Sequence, residues 1–197
     1  QILPMVVERD APVLWSALDD PNATLKYFSW PRFESSSEFV ALLGKKNSDG
    51  HLSTAVLKVD GVPLGMASYM RRDPANGSVE IGAIVHGPGL ARTAGATEAH
   101  YLLARHVFET LGYRRYEWKC DARNLASIRA AKRFGFTYEG TFRQHAVVKG
   151  ENRDTAWFSI IDRDWPRLAQ GFRAWLDSSN FDQNGNQRQR LEECRTS

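Results

Sequence analysis

Residues 87–97 read Gly87-Pro88-Gly89-Leu90-Ala91-Arg92-Thr93-Ala94-Gly95-Ala96-Thr97, between a strand pattern and a long helical one. The first turn of a helix has unpaired backbone N–H groups and the positive end of the helix dipole, so it binds phosphate. Small side chains at Ala94, Gly95 and Ala96 let a pyrophosphate come close to that backbone, with Arg92, Thr93 and Thr97 around them. The same small residues would also serve packing alone. Further on, Asn124-Leu125-Ala126-Ser127 opens a second helical pattern. Asn124 suits its cap, and the Ser127 hydroxyl falls in its first turn. Glu80, His86 and Glu117 sit on strand patterns and are the titratable groups able to move a proton. Glu80 and His86 share a face, but six residues of strand span roughly 20 Å, too far for them to act together. Arg114, Arg115, Lys119, Arg123, Arg129, Lys132 and Arg133 make a basic cluster around these segments.

The elements that must position these groups are legible. Residues 5–47 read as mostly helical, with Pro12 opening a first helix and Ser35 to Ser37 capping a later one. Between them Tyr27, Phe28, Trp30 and Phe33 form an aromatic loop that either walls a pocket or joins the core. Strands follow at 52–59, 64–70 and 78–86, with turns at Asp60-Gly61 and Asn76-Gly77. Alternation predicts Val79, Ile81, Ala83 and Val85 on one face of the third strand, and Glu80, Gly82, Ile84 and His86 on the other. A helix from about Thr93 to Leu111 leads to a strand at 114–120, then a helix ending at Phe134-Gly135. Strands at 137–148 and 154–161 and an amphipathic helix at 164–176 complete the pattern. A full helix between strands 78–86 and 114–120 predicts a parallel, right-handed crossover. The fold class is therefore α/β (α+β), a mixed, mostly antiparallel central sheet with one β-α-β crossover. Residues 1–177 form one domain, and 178–197, rich in Asn, Gln and charge, is expected to be a mobile tail.

Composition narrows the classes. The chain has 197 residues, 42% hydrophobic and 25% charged, which fits one globular domain and excludes collagen-like, coiled-coil or wholly disordered chains. No apolar run approaches the ~18 residues of a membrane span. No signal segment opens the chain, and its first residue, Gln1, predicts a trimmed start. Two distant cysteines, Cys120 and Cys194, make neither a disulfide framework nor a metal site, so no metal and a cytoplasmic setting are expected. A net charge of +3 is too small to argue for nucleic acid, and suits an anionic small ligand. Neither a membrane nor a nucleic-acid partner is expected, and the chain works as a monomer or homodimer.

The loop and its sequel resemble the GCN5-related N-acetyltransferase (GNAT) superfamily. Arg92 and Gly95 match the first and fourth positions of its pyrophosphate motif, Q/R-x-x-G-x-G/A, while Thr97 stands where Gly or Ala is usual. Asn124 to Ser127, followed by Ala130-Ala131-Lys132-Arg133-Phe134-Gly135-Phe136, is similar to its second motif. The likeness covers about residues 52–162 and is closest to the RimJ/RimL-like branch, which acetylates protein N-termini and small amines.

That resemblance implies acetyl-CoA as donor and a primary amine, on a small molecule or a protein N-terminus, as acceptor. It places pyrophosphate on Arg92, Thr93, Ala94, Gly95, Ala96 and Thr97, and pantetheine between strands that part at their C-terminal ends. It puts an oxyanion-holding amide near Val85, Asn124 on pantetheine, and Ser127 near the departing thiolate. One or two cations of the basic cluster would meet the 3′-phosphate. It also implies a base on these strands, and we rank Glu117 ahead of Glu80. The alternative is a non-catalytic acetyl-CoA-binding or partner-docking module of the same fold.

Overall fold

Asp60 and Gly61 both take positive φ, 50° and 80°, the geometry a tight hairpin needs. They join β2 (Ser53–Val59) to β3 (Val62–Asp73), and the turn at Gly77 joins β3 to β4 (Ser78–His86). β1 (Ile2–Pro4) pairs antiparallel with β2 at the edge. The helix α4 (Ala94–Arg105), extended by a π turn over His106–Thr110, crosses to β5 (Arg115–Asp121), which runs parallel to β4. After α5 (Leu125–Phe134) come β6 (Thr137–Val148) and β7 (Glu151–Ile161). The sheet order is β1-β2-β3-β4-β5-β7-β6, antiparallel except at β4–β5. The computed structural model describes residues 1–195.

Apolar side chains divide between the two faces of this sheet. On one, α4, α5 and α6 (Trp165–Leu176) cover Val79, Ile81, Tyr116, Trp118 and Phe158. On the other, α1 (Val7–Ser16) and α3 (Ser36–Ser48) bury Ala11, Leu14, Phe39 and Leu43 against Met66 and Val85. A short α2 (Pro21–Thr24) connects them. Ser35 caps α3 by accepting from the Glu38 N–H, and Glu38 accepts in return from the Glu34 N–H.

Three expectations need correction, and β1 answers to none of them. Pro12 lies inside α1 rather than at its start, because burial of Ala11 and Leu14 outweighs the one helical bond proline cannot make. β1 had no distinctive pattern, since three residues on an edge need only backbone pairing. Leu111 lies outside α4 and is 44% exposed. Residues 178–195 are folded rather than mobile. Asn180 is buried, its side chain bonding the carbonyls of Trp175 and Gln189 and the Gln189 N–H. Leu191 and Cys194 join the core beside α6. Residues 196 and 197 lie outside the described part. Leu191 has no exposed surface, so Leu191→Ala is expected to cost about 2–5 kcal/mol. Urea unfolding measures this directly, and an unchanged midpoint would mean that the tail is not docked.

Candidate active site

β4 and β5 pair through Ser78, Val79, Glu80 and Ile81, opposite Arg115, Tyr116, Glu117 and Trp118, and then stop. Beyond Ile81 the two strands part, although β5 continues to pair with β7. The parting opens a cleft of about 1850 Å³ that runs from the aromatic loop on one side to the start of α4 on the other.

A bulge in β4 shapes this gap. Ser68 sits opposite Gly82 but Met66 opposite Val85, so β4 has one residue extra, and Ala83 takes φ 46°. The bulge reverses the alternation expected for the end of the strand. Val85 joins the core under α1 and α3, while Ile84 and His86 turn toward α4. The backbone follows. The Gly87 N–H donates to the Leu64 carbonyl, so Val85, two residues back, also turns its backbone toward β3. Gly65 makes room for it: a Cβ there would lie 2.7 Å from the Val85 carbonyl oxygen. Val85 therefore does not present its amide to the gap, a correction to its expected role. Ile84 and His86, on either side of it, line the cleft.

At the start of α4, Thr93 is the cap. Its hydroxyl accepts from the Ala96 N–H at 3.2 Å and donates to the Leu90 carbonyl at 2.8 Å. The N–H groups of Ala94 and Gly95 have no acceptor among the described residues. Arg92, Thr93, Ala94, Ala96 and Thr97 line the cleft. Gly95 is exposed beside them, and Arg92 is set by a positive φ of 64°. Thr97 is buried, and its hydroxyl accepts from Arg133 at 3.0 Å. The departure from the small-residue motif is thus an anchor for a guanidinium. Arg133 is stacked near the Trp175 ring, 5.0 Å away, and burial pushes its pKa down. Among the described residues no carboxylate pairs with it within ion-pair distance, and Glu192 acts on it only at longer range.

The chain thus carries a half-buried cation, two free amides and a helix N-terminus together, which fits a phosphorylated ligand. The wall continues into the folded tail through Phe181 and Gln187. Gln187 accepts from the Trp175 indole at 2.9 Å. Sequence reading missed these residues because their surroundings are polar and aperiodic. Of the basic cluster, only Arg129 and Arg133 reach this end, and Lys119 lines the opposite end.

Asn124 and Ser127 both line the cleft. Asn124 Oδ1 accepts from the Ser127 N–H at 3.1 Å, capping α5. Ser127 Oγ accepts from the Trp118 indole at 2.9 Å, which fixes the oxygen. Cys120 lies beside it, and burial pushes that thiol up, against a hydrogen bond from Ser127. A neutral thiol is a poor acyl carrier.

His86 and His100 sit under the gap with ring centroids 5.2 Å apart, and His100 stacks on Phe134 at 4.2 Å. Each has a buried Nε2 without a protein partner, so polar groups of a ligand have sites to meet. Burial pushes His86 down to about 4 and His100 well below its usual value. Both are neutral in the folded protein at pH 7 and take up a proton more readily when unfolded. Stability is then full above about 6.5 and falls as pH drops, His86 alone giving up ~3 kcal/mol by pH 4. Urea titrations across that range should show it, and His86→Asn should flatten the slope; a flat wild-type profile would contradict it.

The carboxylates separate clearly. Glu80 is buried and lines the cleft, whereas Glu117 does not. Glu80 Oε2 takes both Arg71 at 2.7 Å and Lys119 at 2.9 Å, leaving Oε1 without either cation. Glu117 is held between Arg115 and Lys119 at 2.7 and 2.8 Å. These cations hold its carboxyl below the usual range, although burial opposes them. Of the aromatic loop, Tyr27, Phe28 and Trp30 wall the cleft, and Phe33 packs only into the core. That loop is tied across the cleft: Lys149 donates to the Leu25 and Lys26 carbonyls, and the Tyr27 hydroxyl to the Arg123 carbonyl.

The family described as Acetyltransferase (GNAT) domain matches residues 2–137. The chain belongs to this family. A crystal structure of a GCN5-related N-acetyltransferase from Brucella melitensis is 42% identical, with a TM-score of 0.93, over 100% of this chain and 90% of that one. An uncharacterized N-acetyltransferase p20 of Bacillus licheniformis is 27% identical over 79% of this chain and 89% of its own length. A putative ribosomal N-acetyltransferase YdaF of Bacillus subtilis is 30% identical over 56% and 60%. The GNAT chain described here has no group of His, Cys, Asp and Glu arranged to hold a metal among its described residues. None of its helices there is long and apolar enough to cross a membrane.

Proposed function

We propose that this GNAT protein transfers an acetyl group from acetyl-CoA to a primary amine by direct attack in a ternary complex. The observation that carries this reading is the parting of β4 from β5 beside a helix start with two free amides. Bound acetyl-CoA would supply an activated thioester carbonyl. Ala94, Gly95, Arg92 and Arg133 would hold its phosphates, with Thr93, Ala96 and Thr97 shaping the cradle. Asn124 would bond the pantetheine arm.

The backbone amides of Ile84 and His86, residues that line the cleft, would steady negative charge on the carbonyl oxygen, an effect worth roughly 3–4 kcal/mol for one well-aimed donor. Ser127 would donate its proton toward the departing sulfur. Glu80, on the cleft where Glu117 is not, would take the proton from the amine through Oε1, directly or through water. This reverses the ranking of the two carboxylates. The RimJ/RimL-like assignment is supported by the relative named as a putative ribosomal N-acetyltransferase. A cytoplasmic location is supported by two free, buried thiols.

The test is thiol release from acetyl-CoA with a mixed amine library, followed by mass spectrometry of the products. Acetylated amines and stoichiometric CoA are expected. Tight CoA binding with no acceptor modified would instead favour the non-catalytic module.

A further inference from the structure

The end of the cleft away from α4 has an unbalanced charge. Lys46, Arg71, Arg72, Lys119 and Arg153 line it, against the carboxylates of Glu80 and Asp121. Both carboxylates are already engaged. Glu80 takes Arg71 and Lys119, and Asp121 takes Arg123 at 3.0 Å. Arg72 instead donates to neutral oxygens, Ser53 Oγ at 2.7 Å and the Gly50 carbonyl at 3.5 Å. Lys46 anchors the same turn through its carbonyl, which accepts from the Leu52 N–H at 3.0 Å. Among the described residues its ammonium has no carboxylate within ion-pair distance. Arg153, on the far wall, donates to Thr155 Oγ1 at 3.2 Å and also interacts with the Asp121 charge.

Lys46 and Arg72 thus line this mouth with no ion-pair partner among the described residues, while Arg153 is offset in part by Asp121. A cleft with walls of low polarity focuses such a field onto whatever enters. Tyr27, Phe28 and Trp30 supply those walls. A polycationic amine would find no free carboxylate here and would be repelled by Lys46 and Arg72.

Resting on the acetyl-transfer reading above, we infer that the acceptor is an amine that also carries an anionic group, a carboxylate or a phosphate. The amine reaches Glu80, and the anion lies against Lys46 and Arg72. Arg153 adds to the field from the opposite wall. The charge does no chemistry itself. It selects and orients the acceptor, so it acts on kcat/KM for the amine and not on binding of the donor.

The experiment compares matched pairs that differ only in the anion. They are amino acids against their amides, phosphoethanolamine against ethanolamine, and peptides with acidic second and third residues against their amide counterparts. Spermidine is included as the cationic opposite. The anionic member of at least one pair is expected to have a kcat/KM at least tenfold higher, with the advantage shrinking as salt rises. The pair that shows it tells small molecules from peptides. In the Lys46→Gln/Arg72→Gln double variant that advantage should fall below threefold, with the KM for acetyl-CoA unchanged. Equal rates within every pair, or a preference for spermidine, would overturn the inference and leave acetyl transfer standing. If no amine is acetylated, the acetyl-transfer reading fails. Calorimetry of the same pairs on the CoA-bound protein then decides the inference by itself, and equal affinities within every pair overturn it.

Discussion

Gly95→Glu should lower CoA affinity more than tenfold in calorimetry while leaving the protein at least as stable as wild type. The separation of the two effects makes the result informative. A Cβ at Gly95 meets only Thr93 Oγ1 at 3.6 Å and Leu90 Cδ1 at 3.9 Å, ordinary contacts, so the substitution fits. Glycine in a helix costs ~1 kcal/mol relative to alanine, and an acidic side chain in the first turn complements the helix dipole. The fold therefore gains or holds even. A bound phosphate, however, would meet a carboxylate beside the two free amides, and tenfold is only ~1.4 kcal/mol of lost attraction. Unchanged CoA affinity in the folded variant would place the donor elsewhere.

The second large effect is expected at Glu80. Glu80→Gln keeps the shape of the side chain and its place beside Arg71 and Lys119, and removes the proton acceptor. Turnover near neutral pH is expected to fall about 10²–10³-fold, the usual scale for a lost general base. High pH should recover part of it, since more of the amine is then unprotonated. Glu117→Gln is the comparison on the neighbouring strand, expected to change turnover less than about threefold because Glu117 does not line the cleft. A large loss at Glu117 with Glu80→Gln near wild type would restore the ranking read from sequence. Near-normal turnover in both would mean that solvent deprotonates the amine.

The sequence carried the local devices well. Asp60-Gly61, the Ser35 cap, the Asn124 cap and the end of α5 at Gly135 are all where their residue types put them. Each depends on neighbours within a few positions. The bulge at Ala83 does not. Gly82 beside it is only a weak mark, and it exists because β3 and β4 pair in a different register on each side of it. Alternation therefore worked for Val79 and Ile81 and failed for Val85, and the amide assigned to the gap moved with it. The tail misled for a related reason. Its composition is polar throughout, but one leucine, one cysteine and the side chain of Asn180 are enough to dock it. Glu80 and Glu117 were indistinguishable in sequence because both alternate correctly and sit opposite each other in register. What separates them is where the strands part, which belongs to the sheet and not to either residue.

The bonds from Lys149 and Tyr27 have one more consequence. They tie the N-terminal aromatic loop to the hairpin of β6 and β7 and to the start of α5, so the acceptor mouth has a rim joined on both sides. A mouth of that kind works like the eye of a needle. It admits a slender group end-first and turns away a broad, folded surface. On the acetyl-transfer reading, a small amine would pass freely, and a protein would offer only a loose chain end or a long side chain standing clear of its own fold.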